Sequence, residues 1–242
     1  MRKAKNGNIS NVGAIHELPR EKELPEGWGW KTDILGFACD IIMGQSPPGK
    51  TYNKERAGLP FFQGKTDFGA MYPTPATWCT APKKIAKPND ILISVRAPVG
   101  PTNLSNIECC IGRGLAAIRT KDNLFSKYVL YYLRLNETEI ASLGTGSTFQ
   151  AISKSQIANF KISIAPLHIQ KLIVSEIEKQ FSRLDEAVAA LKRVRASLKR
   201  YKAAVLKAAV EGKLTEEWRK ENSNIEPADK LLERIKKERS LR

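Results

Sequence analysis

The sequence predicts an α+β fold: a mixed, mostly antiparallel domain followed by a long coiled-coil-forming α-helix. Three observations predict it. Up to about Pro166 the chain is punctuated by Gly and Pro and broken into short apolar runs, the grammar of strands joined by turns. From Leu167 to about Leu214 no proline occurs and Gly212 is the only glycine, so nothing in that stretch stops a helix early. Within it Ile177, Leu184, Leu191, Leu198 and Val205 recur every seven residues, with Phe181 and Val188 at the intervening four-residue steps.

Each element follows from local pattern. "LPFFQG", "NDILISVRAPVG" and "GLAAIRT" read as strands with turns between them. "SKYVLYYLRL" has the apolar spacing of a short helix, with Ser126 as its expected N-cap. "ISKSQIANFKISIAPL" predicts a helical turn and then an exposed strand, "FKISIAP". In the long helix, seven-fold repetition carries a narrow apolar seam along one side, which suits a partner helix better than a globular core. Arg195 and Lys202 occupy the second seam position further along, so the later heptads are weaker. Roughly 45 residues at 1.5 Å each make a rod about 65–70 Å long, more than docking along the chain's own sheet would use. The expected dimer interface is therefore Ile177, Phe181, Leu184, Val188, Leu191, Leu198 and Val205. Beyond Gly212, Trp218 and the Leu231, Leu232, Ile235 cluster predict a second, shorter helix after the Pro227 break.

Charge points to the partner. The chain carries 40 Lys and Arg against 25 Asp and Glu, a net charge of +15. A surplus of that size suits a polyanion, of which nucleic acid is the commonest. Between Lys192 and Lys207 the helix holds seven basic residues and no acidic one, as a surface near DNA phosphates or an acidic partner would. No segment approaches the ~20 apolar residues of a membrane span, and "MRKAKNGNISNVG" lacks a signal-peptide core, so a cytoplasmic location is expected.

Little in the composition supports catalysis. Cys39, Cys79, Cys109 and Cys110 lack zinc-site spacing, and the vicinal pair reads as two small buried side chains. His16 and His168 are the only histidines. There is no glycine-rich methyl-donor loop and no nuclease-like carboxylate cluster with a nearby lysine, so no cofactor or metal is expected. One motif argues the other way. From Gly44 to Thr51 the chain reads Gly, four residues, Gly-Lys-Thr, the pattern of a nucleotide-binding loop. That loop works through successive backbone N–H groups and a following helix N-terminus. Pro47 and Pro48 have no N–H to offer, and Gly58 and Pro60 arrive too soon for the helix. In "NDILISV" Asp90 precedes the apolar run, where a magnesium-holding aspartate would end it. A Pro-rich surface turn explains the stretch better than an ATPase.

Taken in order, the pieces resemble the specificity subunit of type I restriction–modification systems. "ELPEGWGWKTDILGFACDIIMGQSPPGKTY" looks like that family's opening, including its Gly-x-Ser-Pro turn. "LPFFQGKTD", "NDILISVRAPVG", "CIGRGLAAI" and "GSTFQAISKSQIANFKISIAPL" are similar to successive blocks of its target recognition domain, and "LKAAVEGKLTEEWRKEN" to the end of its spacer helix. The resemblance implies an N-terminal arm over 1–23, a DNA target recognition domain over 24–166, a spacer and dimerisation helix over 167–213, and a tail with a short helix over 214–242. Family members usually place Glu-Gln after the Pro-Leu that opens the spacer; here the order is Pro166-Leu167-His168-Ile169-Gln170, and the Glu is absent. A typical member also has two recognition domains and two spacers, whereas this chain has one of each, like half a subunit.

By resemblance, the partners are double-stranded DNA, a second copy of the chain, methyltransferase subunits and an ATP-dependent restriction subunit, and the chain itself is non-catalytic. Candidate DNA contacts in the matching blocks are Gln63, Lys65, Arg96, Arg113, Thr148, Gln150 and Lys154, because phosphates need cations and base edges need forked side chains. Each could instead hold a loop in shape. The rival readings are a nucleotide-binding protein built on Gly44–Thr51 and an assembly or decoy subunit that reads no DNA.

Overall fold

The computed structural model describes residues 29–145, 150–224 and 226–240. The predicted N-terminal arm over 1–23, the Leu24–Trp28 motif, His16 and Thr148 lie outside the described residues. In chain order the first elements are β1 (Lys31–Ile34), α1 (Leu35–Ala38), β2 (Cys39–Met43), β3 (Tyr52–Asn53) and β4 (Leu59–Phe62). Then come β5 (Trp78–Cys79), β6 (Ile85–Ala86), β7 (Ile91–Ser94), β8 (Thr102–Leu104), β9 (Cys109–Ile111) and β10 (Leu115–Thr120). Helices α2 (Ser126–Leu135), α3 (Glu137–Ser142) and α4 (Lys154–Ala158) precede β11 (Lys161–Ile164) and α5 (Leu167–Val210). The chain divides into two units, residues 1–177 and 178–242.

The first unit holds three sheets, ordered β2-β10-β7-β8, β3-β5-β4-β9-β6 and β1-β11. Among the described strands only β4 and β9 pair in parallel. Strand β10 shows why the core sits where it does. Successive strand side chains point to opposite faces, and "LAAI" is apolar on both. Ala116 and Ile118 join one buried cluster with Ile91, Ile93 and the α2 residues Val129, Leu130 and Leu133; Leu115 and Ala117 join a second with Leu92, Phe62 and Ile111. The continuous apolar runs of β7 and β10 are therefore central strands covered on both sides.

Two sequence expectations are corrected here. Ser126 is not the N-cap of α2. The preceding residue, Phe125, takes that place without a side-chain cap, and its N–H donates to Oε1 of Gln170 at 2.8 Å. Ser126 instead shares a hydrogen bond with the Thr120 hydroxyl at 2.9 Å. A glutamine far along the chain thus accepts from the N–H of the capping residue itself, the part that the third helical residue plays in a capping box. Nor is "FKISIAP" exposed: β11 pairs with β1, Ile162 is fully buried, and Phe160 and Ala165 are buried beside it. The Tyr128 hydroxyl donates to the Ser163 carbonyl, which ties α2 to this strand.

The opening turns of α5 are fastened by the same glutamine. Gln170 is completely buried. Its Nε2 donates to the carbonyls of Asn123 (3.0 Å) and Ala165 (2.7 Å) while Oε1 accepts from Phe125. Of the motif whose Glu is missing, the Gln that remains uses both amide donors and its acceptor oxygen, as a buried amide should.

In the second unit, α5 continues to Val210, three residues short of the predicted end at 213, and no described residue is buried. The seam is open: Phe181, Leu184, Val188, Leu191 and Leu198 are exposed, while Val205, like Ile177 in the first unit, is half-buried. Gly212 stops the helix in the left-handed region (φ 72°), where a side chain would be strained. Two short helices follow where one was expected: α6 (Glu216–Glu221), which carries Trp218, and α7 (Ala228–Ser240), which carries Leu231, Leu232 and Ile235. Among the described residues no helix is long and apolar enough to cross a membrane.

Candidate nucleic-acid interface

The stretch that mimics a nucleotide loop has another job. Gly49–Thr51 forms a single 3₁₀ turn leading into strand β3, not into a helix, and the Thr51 hydroxyl donates to the Pro48 carbonyl at 2.7 Å. Upstream, Gly44 N–H donates to the Leu115 carbonyl (2.9 Å) and Gln45 N–H to that of Ile111 (3.0 Å). A Cβ on Gly44 would stand 2.1 Å from the Gly112 carbonyl oxygen, so only glycine permits this approach. The Ser46 hydroxyl then accepts from Arg113 N–H at 3.2 Å. The turn thus clamps the β9–β10 loop and sets the position of Arg113.

Three further backbone junctions converge on that loop. Gly112 N–H donates to the Phe62 carbonyl at the end of β4, and Val95 N–H, just past β7, to the Gly114 carbonyl. Gly114 lies so close to Gln63 that an added Cβ would meet the Gln63 carbonyl oxygen at 2.3 Å. Beyond β4, the Asp67 carboxylate accepts from the N–H groups of Gln63 (2.7 Å) and Gly64 (3.2 Å), fixing the turn that carries Lys65. Finally, Ala97 N–H donates to the Gln150 carbonyl and Ile152 N–H to that of Val95, which lays the 150–152 segment beside Arg96.

The result is an open hollow of about 260 Å³ whose lining includes Gln63, Lys65, Ser94, Arg96 and Arg113. Four of the seven predicted contacts, taken from three separate sequence blocks, therefore meet at one place. Gln150 adjoins them through its backbone. Lys154, the first residue of α4, is exposed but does not line the hollow; its helix opens with a capping box in which Ser153 and Gln156 bond reciprocally. Ser94 was not anticipated, because "ILIS" reads as plain strand.

The arginines sort themselves by commitment. Arg119 is bidentate on the buried Asp90, with contacts of 2.9 and 2.7 Å, and that partner raises its pKa further. It is structural. Arg96, Arg113 and Lys65 are exposed, no carboxylate lines their hollow, and among the described residues none of them is in an ion pair. Three like charges lining one hollow, none of them in an ion pair among the described residues, have the chemistry to receive an external anion or acceptor edge. The cysteines take no part: burial pushes the Cys109 thiol up to about 11 and the Cys39 thiol to about 12, so both stay protonated and inert at neutral pH.

A fixed antiparallel scaffold presenting uncommitted Arg, Lys and Gln side chains from several loops is the form of a nucleic-acid-reading domain. Residues 30–199 match the type I restriction modification DNA specificity domain, and the chain belongs to that family. Its structure is similar to the crystal structure of the HsdS subunit from Thermoanaerobacter tengcongensis, with 48% identity and a TM-score of 0.65 over 79% of this chain and 47% of that one. A relative in Methanocaldococcus jannaschii named for type I restriction enzyme MjaX is 38% identical over 197 residues, 79% of this chain and 44% of the relative. The type I restriction enzyme EcoKI specificity subunit of Escherichia coli K12 is 28% identical over 88% of this chain and 48% of its own length. The chain spans about half the length of the curated relatives it matches.

Proposed function

We propose that this chain is a sequence-specific DNA-binding specificity subunit that reads one half of a bipartite site and docks methyltransferase and restriction subunits. The hollow built by Gln63, Lys65, Arg96 and Arg113 carries the reading. Arginine forks onto the O6 and N7 of guanine, glutamine pairs with adenine, and lysine suits phosphate. Residues 24–166 act as the recognition domain, 167–213 as spacer and dimerisation helix, and 214–242 as a tail. Methyl transfer and ATP hydrolysis belong to the other subunits, and the assembly works in the cytoplasm.

The open seam supports pairing of α5 with a second copy. Two copies related by a two-fold axis read the same half-site on opposite strands. Methylation mapping in a host expressing this chain with its methyltransferase as the sole specificity source should therefore return an interrupted palindrome. Two dissimilar half-sites would defeat the homodimer, and a methylome with no motif would favour the non-reading assembly subunit.

Point substitutions separate the contacts. Arg96→Ala and Arg113→Ala should each reduce discrimination between specific and random duplexes by ~1–3 kcal/mol where the arginine forks onto a guanine. Mobility shifts across a salt series measure both terms. Equal losses on both duplexes would reassign that residue to phosphate contact.

A further inference from the structure

A second hollow, of about 380 Å³, lies beside the first, and its lining includes Lys65, Phe68, Pro101, Thr102, Arg134 and Glu137. Lys65 lines both, so the two face neighbouring stretches of whatever binds. Their chemistry differs. The first offers three cations and no carboxylate; the second sets the Glu137 carboxylate in a wall with Arg134 and Lys65.

Arg134 is held in place, and Glu137 lies against a glycine. Arg134 Nη2 donates to the carbonyls of Ala70 (2.8 Å) and Thr102 (3.3 Å), which anchors the guanidinium to two separate loops. Its Nε and Nη1 have no partner among the described residues. Glu137, the first residue of α3, packs on Gly100: a Cβ there would stand 3.0 Å from Glu137 Cγ, and Gly100 sits at φ +109°. Glu137 is half-buried and in no ion pair among the described residues.

We infer that this hollow reads a base edge bearing an exocyclic amino group, cytosine N4 or adenine N6, with Glu137 as the specificity-determining acceptor. The inference rests on the DNA-reading function proposed above. A phosphate would lie against the Glu137 carboxylate, where like charges repel. An amino group donates to it. In the major groove each such amino group lies beside acceptors, guanine O6 or adenine N7 and thymine O4. Arg134, through its Nε and Nη1, supplies the matching donors. Phe68 and Pro101 give the hollow apolar walls.

The test selects random-sequence duplexes on the full chain and on its Glu137→Ala and Glu137→Gln variants, then sequences the bound pools. Each half-site of the wild-type motif should contain one cytosine or adenine position whose preference falls about tenfold with Glu137→Ala, other positions being unchanged. The base lost identifies which amino group is read. Glu137→Gln keeps the shape but adds an N–H donor, so a cytosine position should widen toward thymine or guanine, whereas an adenine position, which glutamine pairs with through N6 and N7, should be preferred more strongly. That substitution carries the test alone if Glu137→Ala fails to fold. Identical motifs in all pools, or equal loss at every position, overturn the inference and leave the DNA-reading function standing. A wild-type pool without any motif overturns that function and this inference together.

Discussion

Replacing Gln170 with leucine should destabilise the first unit by about 2–4 kcal/mol, because each buried polar group left without a partner costs roughly 1–3 kcal/mol. Leucine is similar in size, so packing changes little. What it removes is the set of bonds to Phe125 N–H, Asn123 carbonyl and Ala165 carbonyl. That set joins the start of α2 to the start of α5. Urea unfolding followed by tryptophan fluorescence reads the loss as a lower midpoint at constant slope. Gln170→Glu keeps the acceptor for Phe125 but loses both donated bonds, and should also fall below the wild type. A Gln170→Leu midpoint equal to wild type would mean that α5 is anchored by its apolar contacts alone.

Leu191→Glu should convert a self-associated chain into a monomer while leaving each chain folded. Leu191 is 68% exposed within its own chain, and surface substitutions usually change stability by no more than about 0.5 kcal/mol. In the proposed helix pair the same position is buried, and an unpaired charge there costs several kcal/mol. The two effects separate cleanly: sedimentation equilibrium reads association, and thermal melting of the monomer reads folding. A variant that still dimerises at the wild-type concentration would place the interface elsewhere.

Much of this molecule is legible one segment at a time. Strands β7 and β10 announce themselves because apolar residues fill consecutive positions between turn residues. The long helix does so because proline is absent and Gly212 ends it. The seam from Ile177 to Val205 is a period in the sequence before it is a surface. Such features depend on backbone geometry and on side-chain spacing within a few turns, so residue order is enough to reveal them. The candidate contacts were legible as types, forked or cationic side chains in particular blocks, but not as a constellation.

Their convergence depends on long-range packing. Gly44 must press against Gly112 for the Ser46 hydroxyl to hold the loop of Arg113, and a pattern search reads the same residues as a nucleotide site. Ser126 looks like a cap locally, yet the acceptor for Phe125 comes from Gln170, 45 residues away. Arg134 reads as the end of an amphipathic helix, and only the approach of Ala70 and Thr102 carbonyls turns it into an anchored donor. A hydrogen bond or a close backbone contact between distant segments has no periodicity to betray it. It exists only after the sheets have packed, because packing is what brings the two ends within reach and strips away the water that would otherwise satisfy them.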